Sequence, residues 1–261
     1  MRIRQSICYP IFQREDMSME ELFDAWARIG GAAAELWGWK EETVDGIVAT
    51  AHKHGLAVAS MSGHDSLPDG LNQRANHDRI EAELRRSIDK AAELGVPGLI
   101  CFSGNRQPHA DDLQAIDACA DGLRRVAHYA EQRGVNLNLE LLNSKINHAG
   151  YQCDHTAWGV AVCEKVGSPR VKLLFDIYHM QIMEGDVIRN ITENIRWIGH
   201  FHTAGVPGRH DLDDEQELNY RGICKAIAAA GYDGYLGHEF SPKADPIAAL
   251  RQAFEVCDQG A

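Results

Sequence analysis

Short runs in which apolar and polar residues alternate recur along the chain. Between them lie longer stretches with apolar residues every three or four positions. The first pattern predicts half-buried strands and the second amphipathic helices. IRQSICY predicts a strand, and SMEELFDAWARIG a helix opened by Ser18 as its N-cap. AAELWGW predicts the second strand, and EETVDGIVATAHKHG a helix stopped at Gly55. LAVASMSG and VPGLICFSG are the next strands, separated by a polar loop and a helix from Asn76 to Leu94. ADDLQAIDACADGLRRVAHYAEQRG is the fourth helix. VNLNLELLN, VKLLFDIY, WIGHFHTAG and GYLGHEF predict four more strands. Helical patterns follow them at Thr156 to Val166, Asp186 to Asn194, Tyr220 to Ala230 and Pro246 to Cys257.

Eight strand–helix units over 261 residues give about 33 residues each, the size of a βα repeat in a barrel of about 250 residues. No linker or low-complexity segment interrupts the series, so residues 1–261 are read as one (β/α)8 TIM-barrel domain. An open doubly wound sheet also alternates β and α. It has less support, because no GxGxxG follows the first strand.

The strand phases carry the chemistry, because alternate residues of a barrel strand face the interior and the helices. In the fifth strand Val135, Leu137, Leu139 and Leu141 form the apolar phase, and Asn136, Asn138 and Glu140 the inward one. In the sixth, Lys172, Leu174 and Asp176 share the inward phase. In the seventh, Ile198, His200 and His202 do, and in the eighth, Tyr235, Gly237 and Glu239, with His238 outside. Four successive strands therefore end in an inward Glu140, Asp176, His202 and Glu239. Active sites of barrel enzymes lie at this C-terminal end. Any one of these residues alone suits a helix cap, an ion pair or a satisfied core histidine. Their recurrence in one phase points to a divalent cation that offsets the buried carboxylates. Oxygen ligands with one nitrogen suit Mn²⁺, Mg²⁺ or Co²⁺, and Zn²⁺ is compatible. His200 shares the face one layer deeper, where support of a ligand is expected.

Composition narrows the partners. With 26 Lys+Arg against 38 Asp+Glu, the formal net charge is -12. That balance argues against nucleic acid and against an anionic membrane surface. No apolar run reaches the ~18 residues of a membrane span, and the N-terminus lacks the apolar core of a signal peptide. Seven scattered cysteines without a CxxC pair suggest reduced thiols in a cytoplasmic protein. The expected partner is a small hydroxy-carbonyl substrate, with self-association as a homo-oligomer left open.

Longer motifs surround these residues. Asp176 lies in LLFDIYHMQIMEGD, His202 in GHFHTAGVPGRH followed by ELNY, Glu140 in NLELLN, and Glu239 in GHEF. On these motifs the chain resembles the xylose isomerase-like TIM-barrel superfamily of sugar isomerases and epimerases. Within it, the chain is most similar to hydroxypyruvate isomerases. The resemblance is strongest from Gly134 to Phe240. It implies a divalent metal on Glu140, Asp176, His202 and Glu239, with Glu140 and Glu239 doubling as the acid–base pair. It also implies that His179 and Arg209 contact substrate oxygens, and that Glu35 and His64 line the substrate pocket. One departure is that hydroxypyruvate isomerases tend to carry Gln at the His202 position, whereas HFH resembles the ketose 3-epimerases.

The chemistry these residues imply is proton transfer next to a carbonyl. A metal chelated by the carbonyl and the neighbouring hydroxyl makes the α-proton acidic. One carboxylate removes it, and the resulting enediolate is reprotonated. Delivery to the adjacent carbon isomerises, as from hydroxypyruvate to tartronate semialdehyde. Delivery to the opposite face of the same carbon epimerises. Glu140 and Glu239 suit either outcome, and a related dehydratase also stays open. A nuclease of the same superfamily is disfavoured by the charge, and a non-catalytic barrel by the complete set of four ligands. Arg209 would favour a keto acid, unless it pairs with Asp211 or Asp213. Glu184 reads as a helix cap, and Trp37, Trp39 and Tyr220 as packing or as a cover over the mouth.

Overall fold

The computed structural model describes residues 2–259. Eight parallel strands close into a barrel in chain order. They are β1 Arg4–Cys8, β2 Ala33–Leu36, β3 Ala57–Ser62, β4 Gly98–Cys101, β5 Asn136–Glu140, β6 Val171–Asp176, β7 Ile198–Thr203 and β8 Tyr235–His238. β8 pairs back onto β1, with Ser6 opposite Gly237. The helices are α1 Tyr9–Phe12, α2 Met19–Ile29, α3 Val44–Lys53, α4 His77–Leu94, α5 Asp112–Arg133, α6 Thr156–Val166, α7 Ile177–Met183, α8 Val187–Asn194, α9 Tyr220–Ala229 and α10 Pro246–Cys257. This is the (β/α)8 barrel that the alternation predicts.

Local signals open and close the elements. Ser18 caps α2 in a capping box with Glu21, and Asp111 does the same for α5 with Gln114. At the end of α5, Gly134 takes φ +73, which lets the Val135 N–H reach Ala130 O at 3.0 Å and starts β5. The outward phase of the strands then meets the helices. Leu137, Leu139, Leu173, Phe175, Phe201 and Leu236 are all buried in one core that includes Trp26, Val126, Ile227 and Leu250. Removing this apolar layer from water is the main stabilising term.

Two local departures bear on the site. The apolar run through Ile177 and Tyr178 predicts a longer sixth strand, but β6 stops at Asp176 and α7 begins at once. Asp176 caps that helix, its Oδ1 accepting from the His179 N–H at 3.0 Å. Along β7 the pairing with β6 skips Gly199, so Leu173 faces Ile198 and Leu174 faces His200. Strict alternation from Ile198 therefore breaks at a bulge, while His200 and His202 keep a common face.

All seven cysteines are buried and free. Among the described residues no helix is long and apolar enough to cross a membrane. A cavity of about 440 Å³ opens at the N-terminal end of the barrel, lined by Arg4, Asn138, Lys172 and His200 among others. It lies at the opposite end from the strand termini that carry the carboxylates.

Candidate active site

Glu140 ends β5, Asp176 ends β6, His202 is the penultimate residue of β7, and Glu239 follows β8 directly. One ligand atom from each lies within 4.8 Å of the others, and all four residues are buried. Glu239 extends the ladder past β8, its N–H donating to Thr203 O at 3.0 Å. Its neighbour His238 turns the other way and packs edge-on against Trp26. The phase expected for the eighth strand is the one observed.

His202 decides what this cluster can hold. Its Nε2 lies 3.0 Å from Glu35 Oε2. A carboxylate only accepts, so Nε2 carries the hydrogen. Nδ1 is buried without a hydrogen-bond partner among the described residues, 3.4 Å from Glu239 Oε2 and 3.6 Å from Glu140 Oε1. In a neutral ring its bare lone pair would face two carboxylates, which is costly unless a proton or a cation lies between them. The donor set fits a divalent ion of the Mn²⁺, Mg²⁺ or Co²⁺ kind, with Zn²⁺ compatible.

The electrostatics match a site built for positive charge. Burial pushes Asp176 up to about 7, helped by the charge of Glu239. Burial likewise raises Glu140. Burial would raise Glu239 too, but His202 and Arg209 outweigh it and hold that carboxyl well below its usual range. Burial opposes a charge on His202, yet Cys8 and the carboxylates of Glu239 and Glu35 hold its proton affinity well above the ordinary histidine range.

Residues 21–259 match the family described as the xylose isomerase-like TIM barrel. The chain belongs to that family. It is 34% identical over 174 residues to the 2-oxo-tetronate isomerase of Cupriavidus necator, covering 65% of this chain and 66% of that protein. It is 28% identical over 165 residues to the hydroxypyruvate isomerase of Escherichia coli K12, covering 63% of each. The matches thus span about two thirds of the length of these relatives. Among solved structures, an AP endonuclease of family 2 from Brucella melitensis superposes with a TM-score of 0.84 at 22% identity, covering 98% of each chain. An L-ribulose 3-epimerase superposes with a TM-score of 0.80 at 23% identity, over 97% of this chain and 92% of that one. At such identities the likeness is one of fold.

The other residues that the xylose isomerase-like motifs single out are distributed unevenly. His179 stands beside the four. Its Nδ1 accepts from the Asn143 N–H at 3.1 Å, so the ring hydrogen sits on Nε2. That atom is buried and without a hydrogen-bond partner among the described residues, 3.7 Å from Asp176 Oδ2. Burial keeps the ring neutral by pushing its proton affinity well below the usual value. Arg209 also reaches the site. It adopts φ +59, donates through Nη2 to Glu239 Oε2 and lies over the Tyr178 ring, 5.7 Å from its centre. Asp211 and Asp213 are engaged by Lys243 instead.

Glu35 and His64, expected along the substrate pocket, are both engaged by partners within the protein. Glu35 is buried beneath His202, bonded to Ser6, His200 and His202. His64 spends both ring nitrogens on backbone, since Nε2 accepts from the Phe102 N–H at 2.9 Å and Nδ1 donates to Asp65 O at 3.0 Å. It lines a separate pocket of about 390 Å³ with Trp39 and Arg86. Trp37, 43% exposed, donates its indole N–H to Glu239 Oε1 at 2.9 Å, whereas Trp39 bonds Ser87. The Glu184 carboxylate accepts from the Thr156 N–H and hydroxyl, capping α6 rather than touching the site. The Tyr220 hydroxyl braces the backbone of Ala204.

Sequence reasoning missed Asn143, which orients His179, and Tyr151. The Tyr151 hydroxyl accepts from the Ser103 N–H and donates to Glu140 O, fixing the end of β5. Both sit in loop sequence after β5, where no periodic signal marks them. Cys8, at the end of β1, was read only as a thiol. Its sulfur lies 3.9 Å from both His202 Nε2 and Glu35 Oε2.

Proposed function

We propose that the protein is a divalent-metal-dependent isomerase of small 2-keto acids with a neighbouring hydroxyl, of the hydroxypyruvate or 2-oxo-tetronate type. The observation that carries this reading is Arg209, a guanidinium turned into a cluster of three carboxylates, with its side chain 26% exposed. Its planar fork matches a substrate carboxylate. The named relatives act on keto acids of this kind, which supports the same choice.

Glu140, Asp176, His202 and Glu239 would hold the ion. When bound, it supplies Lewis acidity to a carbonyl and an adjacent hydroxyl oxygen. Glu140 and Glu239 both flank His202 Nδ1, so two carboxylates stand beside the place where a substrate on the ion would lie. One carboxylate takes the α-proton, and a proton returned to the neighbouring carbon completes the isomerisation. The Nε2–H of His179, unpaired in the site, donates to a substrate oxygen. Trp37 covers Glu239 at the mouth.

A ketose 3-epimerase is the second reading. It is favoured by His202 itself, where hydroxypyruvate isomerases tend to carry Gln. Both readings are tested by proton NMR of the Mn²⁺-, Mg²⁺- or Co²⁺-treated enzyme in D₂O, quenched with EDTA before measurement. The expected outcome is exchange of the hydroxymethyl proton of hydroxypyruvate, with product formation. Exchange confined to ketoses would replace the first reading by the second. Turnover of every substrate by both Glu140→Gln and Glu239→Gln would remove the acid–base assignment.

A further inference from the structure

We infer that Glu35 is a positioning residue that, together with Ser6 and His200, sets which nitrogen of His202 is free to hold a cation. This rests on the metal reading above. Glu35 is the third residue of β2 and only 1% exposed. Its Oε1 accepts from the Ser6 hydroxyl, and its Oε2 from His200 Nε2 and His202 Nε2, each at 3.0 Å. With Ser6 donating to one oxygen, the carboxylate accepts on the other as well, so each histidine presents N–H at Nε2.

For His202 that leaves Nδ1 bare when the ring is neutral. Nδ1 is the buried, unpartnered atom that faces Glu140 and Glu239. The other tautomer would place a hydrogen where the cation must sit. It would also turn the Nε2 lone pair against the Glu35 carboxylate. Glu35 excludes that tautomer, and Ser6 and His200 keep Glu35 from turning away. A Cβ at Gly237 would stand 2.1 Å from Glu35 Oε1 and 2.9 Å from His202 Cδ2. A carboxylate behind a ligating histidine fixes the ring and raises its basicity, and losing it costs about 10–100-fold in metal affinity.

The test compares Mn²⁺ binding by calorimetry in the wild type and in Glu35→Gln, with melting curves of both metal-free proteins. In the variant, the amide NH₂ can turn to His202 Nε2 and drive the hydrogen onto Nδ1. The expected result is Mn²⁺ affinity about 10–100-fold weaker in a protein that still melts cooperatively. Equal affinity overturns the inference and leaves the metal reading standing. Wild-type protein that takes up none of Mn²⁺, Mg²⁺ or Co²⁺ overturns both. Should Glu35→Gln fail to fold, ¹⁵N-resolved imidazole NMR of the Mg²⁺-loaded wild type decides. Hydrogen on Nε2 of His202 supports the inference, and hydrogen on Nδ1 overturns it.

Discussion

Glu239 accepts from two donors of different character, the Trp37 indole and the Arg209 guanidinium. Arg209 therefore has one edge fixed, and among the described residues its remaining donors have no hydrogen-bond partner. Arg209→Lys keeps the charge but loses the fork. A charge-assisted hydrogen bond is worth about 1.5–3 kcal/mol. The expected outcome is a KM for hydroxypyruvate raised about 10–100-fold, with kcat changed less. An unchanged KM in steady-state kinetics would detach Arg209 from the substrate. Tyr151 makes a stability prediction at the same scale. Tyr151→Phe leaves the Ser103 N–H and Glu140 O without their shared partner. A loss of about 1–3 kcal/mol is expected in urea denaturation.

Among the elements, β8 is held closely on both faces. It delivers Glu239 to the site and His238 to the helix layer, and between them Gly237 passes against Glu35 and His202. Gly237→Ala forces an overpacked contact at two residues of the site floor. A destabilisation of about 1–3 kcal/mol is expected in thermal melts, together with weaker metal uptake. A variant as stable as the wild type would contradict this close approach. β6 and α7 share a second economy, because Asp176 both caps the helix and faces the cluster. The cap sets the carboxylate's first oxygen against backbone and turns the second towards His179 Nε2, 3.7 Å away.

For the whole molecule, the net charge of -12 has an internal focus. Asp176, held near 7 by burial and by Glu239, must be ionised to bind a cation. Glu140 and His202 are also pushed up and must lose protons, so they act in the same direction. Cation binding therefore releases protons. Apparent Mn²⁺ affinity is expected to fall as pH drops through about 7, with His202 extending the dependence to higher pH, as calorimetry at several pH values would read. Affinity independent of pH would contradict these shifts. Binding to the folded state alone stabilises by about 2.7 kcal/mol at a hundredfold excess over Kd. Mn²⁺ should raise the melting temperature, and EDTA should reverse the rise. No shift in calorimetric scans would speak against the site.

Alternation within a strand is a local property, so the primary structure alone placed Glu140, Asp176, His202 and Glu239 on the inward face at four strand ends. The βα period likewise specified the barrel, since each unit buries its apolar face against its neighbours. What crosses the barrel was not legible. Glu35 and His200 are 165 residues apart and meet only when the sheet closes. The sequence shows His200 as an inward residue and Glu35 only through the motif resemblance, and the hydrogen bond between them depends on the stagger of strands that never adjoin in sequence. Loop geometry was equally hidden. Only folding gave Arg209 to Glu239 rather than to Asp211 or Asp213, gave His64 to backbone groups, and gave His179 its tautomer through Asn143. Those choices are made by competition among donors and acceptors brought together in space, and no periodicity along the chain encodes them.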